Sequence, residues 1–270
     1  MIVDVHGHLG PWFFFPSEGT AAENLRVMDT HGIDVQLVSS VEAVTYDPAA
    51  GNAALAGAIG DEPRLRGLFV IDPRDLAAAE QQLDELRGSF VGAKIHTHYS
   101  ATPAGSPAMA DALRVCADAD LPALVHTWGT EILDLADTVA SVPGARAIAG
   151  HMGGPAWRLA PEALTRTDRL WLEPCYSRPD AGRVRWVLDR VDPRRMLFGT
   201  DSTLIDPALA FGAIRAAHLS AEEERLVMSA NAIDLFGLDL WRGEEPPTAL
   251  HLTGPLKDER PGANGPHGVS

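Results

Sequence analysis

The 270-residue sequence predicts an α/β fold, a (β/α)8 TIM barrel with an extra C-terminal helix. Short apolar runs recur about every 25–30 residues, helical patterns separate most of them, and eight such runs are present. Because these runs are too apolar to face water, they indicate a buried parallel sheet. The predicted strands are Ile2–His6, Asp34–Ser40, Leu65–Ile71, Phe90–His96, Pro122–Thr127, Ala145–His151, Leu170–Cys175 and Met196–Gly199.

The segments between the strands repeat apolar residues every three or four positions, which predicts helices. Examples are Leu76–Leu86, Ala108–Ala117, Ile132–Val139 and Val184–Val191. Two helix ends carry specific signals. Gly32 is a C-cap glycine after the first helix, and Ser106-Pro107 combines an N-cap serine with proline in the first turn.

The C-terminal part of the chain changes character twice. A last helical region is predicted from Ser220 to about Leu238, where Ser220 and Glu223 have the spacing of a capping box. Residues 243–270 contain five prolines and five glycines with almost no apolar periodicity, so we expect a disordered tail. The predicted domain organisation is one barrel at residues 1–242 followed by this tail.

Composition excludes several classes of protein. The hydrophobic fraction of 46% and the charged fraction of 22% are typical of a soluble globular protein. The net charge of −15 argues against nucleic-acid binding and against binding to anionic membranes. Two cysteines, Cys116 and Cys175, are too few for a disulfide scaffold, and no apolar run approaches the ~18 residues of a membrane span. We therefore expect a cytoplasmic protein.

Histidines mark the end of the first strand, which reads Ile2-Val-Asp-Val-His-Gly-His8. A period of two would place Asp4, His6 and His8 on one face of this strand. In a barrel that face is the interior, and two imidazoles at the carboxyl end of a strand can bind one cation.

Three further predicted strands end in groups that can bind a metal. The fifth ends in Val125-His126-Thr-Trp128, the sixth in Gly150-His151-Met-Gly-Gly154 and the eighth in Gly199-Thr-Asp201-Ser. Since active sites of such barrels form at the carboxyl ends of the strands, a shared metal site is a better interpretation than four unrelated structural residues.

These four motifs resemble the metal-dependent amidohydrolase superfamily, in particular the amidohydrolase-related branch that contains aminocarboxymuconate-semialdehyde decarboxylase. They occur in the family's order over about residues 2–202, and Asn231–Leu238 is similar to the family's last helix. The resemblance implies one divalent metal, usually zinc with manganese as the alternative. It assigns the ligand positions to the following residues: His6, His8, His126 and Asp201.

The resemblance also implies how such a site would act. Metal binding would lower the pKa of a water molecule, Asp201 would accept the water's proton, and His151 would hydrogen-bond the developing oxyanion or the leaving group. Asp4 would orient an imidazole or shape the barrel floor.

The fourth strand leaves the number of metals open, because Gly92-Ala-Lys94-Ile-His96-Thr-His98 carries three residues of one parity that can bind a metal. In binuclear members of the superfamily a carbamylated lysine on this strand bridges two metals, and Lys94 could take that role. Alternatively, Lys94 is an interior ammonium paired with a carboxylate such as Glu173. We favour one metal, with His96 in the pocket and His98 in the following loop, because the histidine motifs resemble the mononuclear branch most closely.

The loop from Gly10 to Pro16 places four aromatic residues directly after the first strand. Trp12, with Trp128 opposite, could wall an apolar substrate pocket, or the loop could form a subunit interface in a homodimer. Arg158, Arg178 and Lys94 are the basic residues nearest the predicted rim that could hold a substrate carboxylate.

Three functions fit these patterns. The first is a hydrolase that acts on a C–N or C–O bond of a small carbonyl substrate through a metal-activated water. The second is a non-oxidative decarboxylase or a hydratase acting on a small carboxylic acid. The third is a metal-binding barrel without catalysis. No organic cofactor is expected, since Gly150, Gly153 and Gly154 lack a dinucleotide-binding spacing.

Overall fold

The computed structural model describes residues 1–14, 17–60, 62–178 and 180–240, so the predicted tail at 243–270 lies outside the described residues. Its strands are β1 (Val3–Leu9), β2 (Val35–Ser40), β3 (Leu65–Val70), β4 (Phe90–His96), β5 (Ala123–His126), β6 (Ala147–Gly150) and β7 (Leu170–Leu172). They pair in parallel in sequence order and form one seven-stranded sheet.

The α-helices lie between and after the strands. They are α1 (Ala21–His31), α2 (Val41–Thr45), α3 (Pro48–Ile59), α4 (Leu76–Glu85), α5 (Pro107–Asp118), α6 (Glu131–Ser141), α7 (Ala160–Arg166), α8 (Arg183–Leu188), α9 (Ala208–Arg215), α10 (Ala221–Arg225) and α11 (Asn231–Phe236). Gly32 adopts the left-handed conformation after α1, and Ser106 caps α5, as predicted. Across the described part of the chain, no helix is both long and apolar enough to span a membrane.

The barrel is closed by the segment predicted as the eighth strand, Met196–Gly199. In place of a regular strand there are two isolated bridges, one from Met196 to Leu172 and one from the following Ser202 to Gly7. The Leu197 amide donates to the Leu172 carbonyl at 2.9 Å, and the Val5 amide donates to the Phe198 carbonyl at 3.0 Å. It therefore joins β7 to β1, and the predicted (β/α)8 barrel is confirmed.

The strands pack apolar residues on both of their faces, outside and inside the barrel. Outward-facing residues such as Phe69 and Val125 pack against the helices. Inward-facing residues near the amino ends of the strands pack instead against the C-terminal helix. Gly92 leaves room for this helix, because a Cβ there would lie 2.6 Å from the Phe236 ring. The extra helix therefore seals the barrel floor and leaves the opposite end for polar residues.

The C-terminal helical region contains α10, a π-helical turn at Leu226–Ala230, and α11. Its predicted capping box is present: Ser220 Oγ accepts from the Glu223 amide at 3.3 Å, and Glu223 Oε2 accepts from the Ser220 amide at 2.8 Å. Arg185 on α8 donates to both oxygens of Glu223, at 2.8 and 3.1 Å. This ion pair and the hydrogen bonds to Ser220 lower the pKa of Glu223 to about 2. Glu223 thus joins α10, at the start of the C-terminal helical region, to α8.

We expect Glu223→Gln to lower the free energy of unfolding by about 1 kcal/mol at pH 7, because it weakens the cap and the bidentate ion pair. A carboxyl with a lowered pKa in the folded state stabilises the protein above its ordinary pKa, and this contribution is lost as the pH falls toward 2. Urea denaturation of both proteins from pH 7 to pH 4 should therefore show a difference that shrinks below pH 5. The control is Glu224→Gln, a half-buried glutamate of the same helix. A difference independent of pH would contradict the assignment.

Candidate metal centre and active site

A β-bulge in β1 determines where the site residues point. β1 has one residue more than β2 between two successive partner pairs, Asp4–Gln36 and Gly7–Val38. The alternation of side chains therefore breaks between them. His6 turns to the barrel interior, whereas Asp4 points outward to the helix layer, so the predicted common face was wrong for Asp4.

Asp4 is fully buried and ties β1 to both of its neighbours. Its carboxylate accepts hydrogen bonds from Gln36 Nε2 at 2.8 Å, from Thr200 Oγ1 at 2.6 Å and from the Thr200 and His6 amides at 3.0 Å each. Gln36 in turn accepts from Asn24 on α1 at 2.8 Å. Burial raises the pKa of Asp4 to about 7 despite these hydrogen bonds. Asp4 therefore positions the backbone of His6 and of the segment before Asp201. We expected it either to orient an imidazole or to shape the barrel floor, and its hydrogen bonds go instead to Gln36, Thr200 and the His6 amide.

His6, His8 and Asp201 converge inside the barrel. His8 Nε2 lies 2.9 Å from Asp201 Oδ1, and His6 Nε2 lies 3.7 Å from the same oxygen. The three residues are buried, and one ligand atom from each lies within 4.8 Å of the others. Ser39 Oγ, 3.0 Å from His8 Nδ1, orients the second imidazole. Three of the four predicted ligands thus form one cluster.

The charge states of this cluster suit a divalent cation. Burial lowers the pKa of His6 and of His8, so both rings are neutral at pH 7. Although burial favours the neutral acid, the two imidazoles hold the pKa of Asp201 below its usual range. Two neutral imidazoles and an ionised carboxylate are the forms in which these groups bind zinc or similar metals.

The fourth predicted ligand, His126, is not a member of this cluster, and its ring centroid lies 4.8 Å from that of His151. Its Nε2 is buried and has no hydrogen-bond partner among the residues that the structure describes. The ring stacks on His96 at 4.1 Å and on Trp128 at 5.9 Å, and burial lowers its pKa. A buried, neutral ring nitrogen without a partner fits a metal ligand, because leaving it unsatisfied is otherwise costly. The predicted donor set therefore fits a divalent ion.

His151 lies between the two groups of imidazoles. Its ring centroid is 5.0 Å from that of His6 and 4.8 Å from that of His126. Its Nδ1 donates to the Cys175 carbonyl at 3.1 Å, which leaves Nε2 for a hydrogen bond to another partner.

The two predicted catalytic residues share a strained backbone. His151 has φ 63° and Asp201 has φ 60°, both in the left-handed region that residues with a Cβ avoid. Such conformations cost on the order of 1–3 kcal/mol each and persist where the surroundings enforce them. The surrounding structure therefore enforces the backbone conformation of both residues and with it the position of their side chains.

Lys94 contacts the metal-ligand cluster directly. Its Nζ lies 2.7 Å from His6 Nε2 and is buried, and burial lowers the pKa of Lys94. The suggested Lys94–Glu173 pair is absent from the ion pairs of the described chain. Glu173 binds the other side of the ring, with Oε2 2.7 Å from His6 Nδ1. His6 therefore separates the two residues.

Sequence reasoning named Glu173 only as a possible partner of Lys94, and it missed Cys175 as a member of the site. Glu173 is fully buried and accepts from the Cys175 thiol at 3.0 Å and from the His151 amide at 3.3 Å. Together with His6 and His151 these residues place four potential ligand atoms within 4.8 Å of one another. The alternation in Trp171-Leu-Glu-Pro-Cys175 was an available signal, because it directs Glu173 and Cys175 inward with Trp171.

Glu173 is best explained as the residue that orients His6. A carboxylate at Nδ1 fixes the proton there and leaves the Nε2 lone pair directed at Asp201 and Lys94. Gly199 provides the space, because a Cβ at that position would lie 2.6 Å from the Glu173 side chain.

Aromatic residues surround the mouth of the site. Trp12 is buried with its ring 5.0 Å from His8, whereas Phe13 and Phe14 are exposed. Trp128 is partly exposed and its ring lies 5.3 Å from Tyr176. The first loop therefore contributes Trp12 to the pocket and two rings to the surface, and Phe15 and Pro16 lie outside the described residues.

The basic residues and histidines predicted at the rim do not all face the site. Arg158 lies 4.2 Å over the Trp157 ring, and Arg178 is exposed in the loop after β7. His96 is at the end of β4, where burial lowers its pKa to about 2, and His98 is exposed in the following turn as expected.

We expect Glu173→Gln to weaken metal binding by about 10- to 100-fold, because glutamine cannot stabilise the Nδ1 proton of His6 as a carboxylate does. Competition with a chromogenic chelator measures this affinity. The exposed Glu162→Gln variant is the control, and unchanged affinity in Glu173→Gln would show that Glu173 has only a structural role.

Comparison with solved structures supports the barrel assignment. 5-Carboxyvanillate decarboxylase from Sphingomonas paucimobilis is 15% identical with a TM-score of 0.70, and the match covers 88% of this chain and 99% of that one. A probable 2-pyrone-4,6-dicarboxylic acid hydrolase from Acinetobacter baumannii is 16% identical with a TM-score of 0.67 and the same coverage. A dihydroxybenzoic acid decarboxylase from Polaromonas sp. JS666, with bound manganese, is 17% identical with a TM-score of 0.69, covering 87% and 96%. At these identities the likeness establishes the fold.

The family assignment rests on the sequence of the whole barrel. A family model described as amidohydrolase matches residues 3–238, which include all four motifs and the floor helix. The resemblance inferred from those motifs is therefore confirmed, and the chain belongs to the amidohydrolase family.

Proposed function

We propose that the protein is a metal-dependent hydrolase that acts on a C–N or C–O bond of a small carbonyl substrate. The observation that carries this proposal is the convergence of His6, His8 and Asp201. His126 supports it, because its buried Nε2 has no hydrogen-bond partner among the described residues and its ring lies 4.8 Å from that of His151. Zinc is the proposed ion, since three imidazoles and one carboxylate are donors that it prefers, and manganese is the alternative. A divalent ion held by these residues would supply Lewis acidity, which would lower the pKa of a water molecule and polarise a carbonyl group.

The chain itself supplies the proton transfers. Asp201 is ionised beside His8 and can accept the proton of the attacking water. His151, fixed through Nδ1, can present Nε2 to the leaving group or to the developing oxyanion. The backbone conformations of both residues hold these groups in place before substrate binds.

Decarboxylation is the second candidate, and the aromatic rim favours it. Trp12, Trp128 and Tyr176 surround the mouth and would stack against a planar ring. Two of the solved structures with this fold are named as decarboxylases of hydroxylated aromatic acids. In this alternative Asp201 or His151 would transfer a proton to or from carbon.

We expect Asp201→Asn to abolish turnover while part of the metal is retained, because an amide cannot accept the water's proton. Wild-type and variant proteins should be assayed on esters, lactones, amides and aromatic carboxylic acids, with release of CO2 measured separately from release of acid. The control is Asp206→Asn, an exposed carboxylate five residues further along. Full activity of Asp201→Asn would exclude the proposed role of Asp201. CO2 release without hydrolysis would establish the second candidate.

Substitutions of Lys94 and His151 distinguish one metal ion per chain from two. With one metal, Lys94→Ala and His151→Asn should both retain about one ion per chain, because neither residue is a ligand in that arrangement. Elemental analysis of protein purified without chelators measures this. Two ions in the wild type, with parallel loss in both variants, would instead establish a bridging Lys94 carbamate.

A further inference from the structure

Unsatisfied polar groups concentrate around the site. Eight buried side-chain nitrogen and oxygen atoms lack a hydrogen-bond partner within the described ranges, and three of them belong to one guanidinium, that of Arg183. Four of the remaining atoms belong to residues at or after strand ends: Trp12, His126, Ser202 and Thr203. The three guanidinium nitrogens of Arg183 can only donate hydrogen bonds, so the partner that would satisfy them must be an acceptor.

Arg183 adjoins the aromatic wall of the pocket. It is the first residue of α8, and only 1% of its surface is exposed. Its guanidinium carbon lies 5.0 Å from the Tyr176 ring centroid, and Tyr176 packs on Trp128, which stacks on His126. An unbroken series of contacts thus connects the guanidinium to the predicted metal ligands.

Within the described part of the chain, no carboxylate oxygen hydrogen-bonds any of the three guanidinium nitrogens of Arg183. Asp180, three residues earlier, accepts a hydrogen bond from Trp157 Nε1 at 2.6 Å instead. Burial lowers the pKa of Arg183, and the groups that most oppose this effect are Cys175 and Glu173 of the site. An arginine remains charged even so, and a buried charge without a partner is strongly unfavourable. An anionic ligand bound to the guanidinium would supply the missing hydrogen-bond acceptor and the missing opposite charge.

We propose that Arg183 forms an anion subsite that binds a carboxylate of the substrate, separate from the bond that reacts at the metal centre. A planar guanidinium with free donors matches a carboxylate in bidentate geometry. This inference rests on the proposed function and narrows it to substrates that retain an acidic group after the reaction. The subsite is distinct from the positions of Arg158 and Arg178, which sequence reasoning had suggested for this role.

The test compares a charged ligand with a neutral one of the same shape. Isothermal titration calorimetry should measure benzoate and benzamide binding to the metal-loaded full chain. We expect Arg183→Met to weaken benzoate binding by roughly tenfold or more and to leave benzamide within about twofold, since only the anion uses the guanidinium. Arg183→Lys should restore part of the affinity. Arg178→Met, which removes an exposed arginine between β7 and α8, should behave as wild type.

Thermal unfolding gives an independent readout. Arg183→Met should raise the Tm of the ligand-free protein, because it removes an unpaired buried charge, and benzoate should raise the Tm of the wild type alone. Equal benzoate affinity in wild type and Arg183→Met would overturn the proposal, as would no benzoate binding by the wild type at millimolar concentration. A lowered Tm in ligand-free Arg183→Met would also overturn it by assigning Arg183 a structural role.

The two proposals can fail separately. Benzoate binding that depends on Arg183, in a protein that hydrolyses nothing in the substrate panel, would uphold the subsite and contradict the proposed hydrolase. Turnover of neutral substrates with equal efficiency in wild type and Arg183→Met would uphold the hydrolase and contradict the subsite.

Discussion

The bulge in β1 is the constraint on which the site depends. Without the extra residue, strict alternation would place Asp4 in the interior with His6. With it, Asp4 remains in the outer layer and binds the backbone of His6 together with the segment that leads to Asp201. The Asp4 carboxylate thus positions β1 and the segment that closes the barrel against it. The imidazole of His6 faces inward, where Glu173 contacts its Nδ1 and Lys94 contacts its Nε2.

The apolar packing that stabilises the barrel and the polar residues of the candidate site lie at opposite ends of the barrel. The floor is apolar and sealed by the C-terminal helix, which allows the opposite end to contain buried charges, an unpaired guanidinium and strained backbone. Such features are unfavourable for folding, and they are explained if the site is arranged for a metal and an anionic substrate. His6 is central because Glu173 holds one nitrogen while Asp201 and Lys94 face the other.

Much of this arrangement was predictable from sequence. The apolar rhythm predicted the barrel, and the positions of His6, His8, His126, His151 and Asp201 after apolar runs predicted the end at which they meet. The orientation of Asp4 was not predictable, because a bulge arises from pairing between strands that are distant in sequence. Arg183 was missed for a related reason. Its lack of a hydrogen-bond partner among the described residues is a property of the packed structure and leaves no pattern in the sequence.

The most direct test of this account is to locate the metal by anomalous X-ray diffraction at the zinc and manganese absorption edges, using protein purified without chelators. The account predicts one ion at about 2.0–2.2 Å from His6, His8, His126 and Asp201, with Glu173 hydrogen-bonded to His6 and not to the ion. An ion bound instead by Glu173 and Cys175, or no ion among the imidazoles, would contradict it.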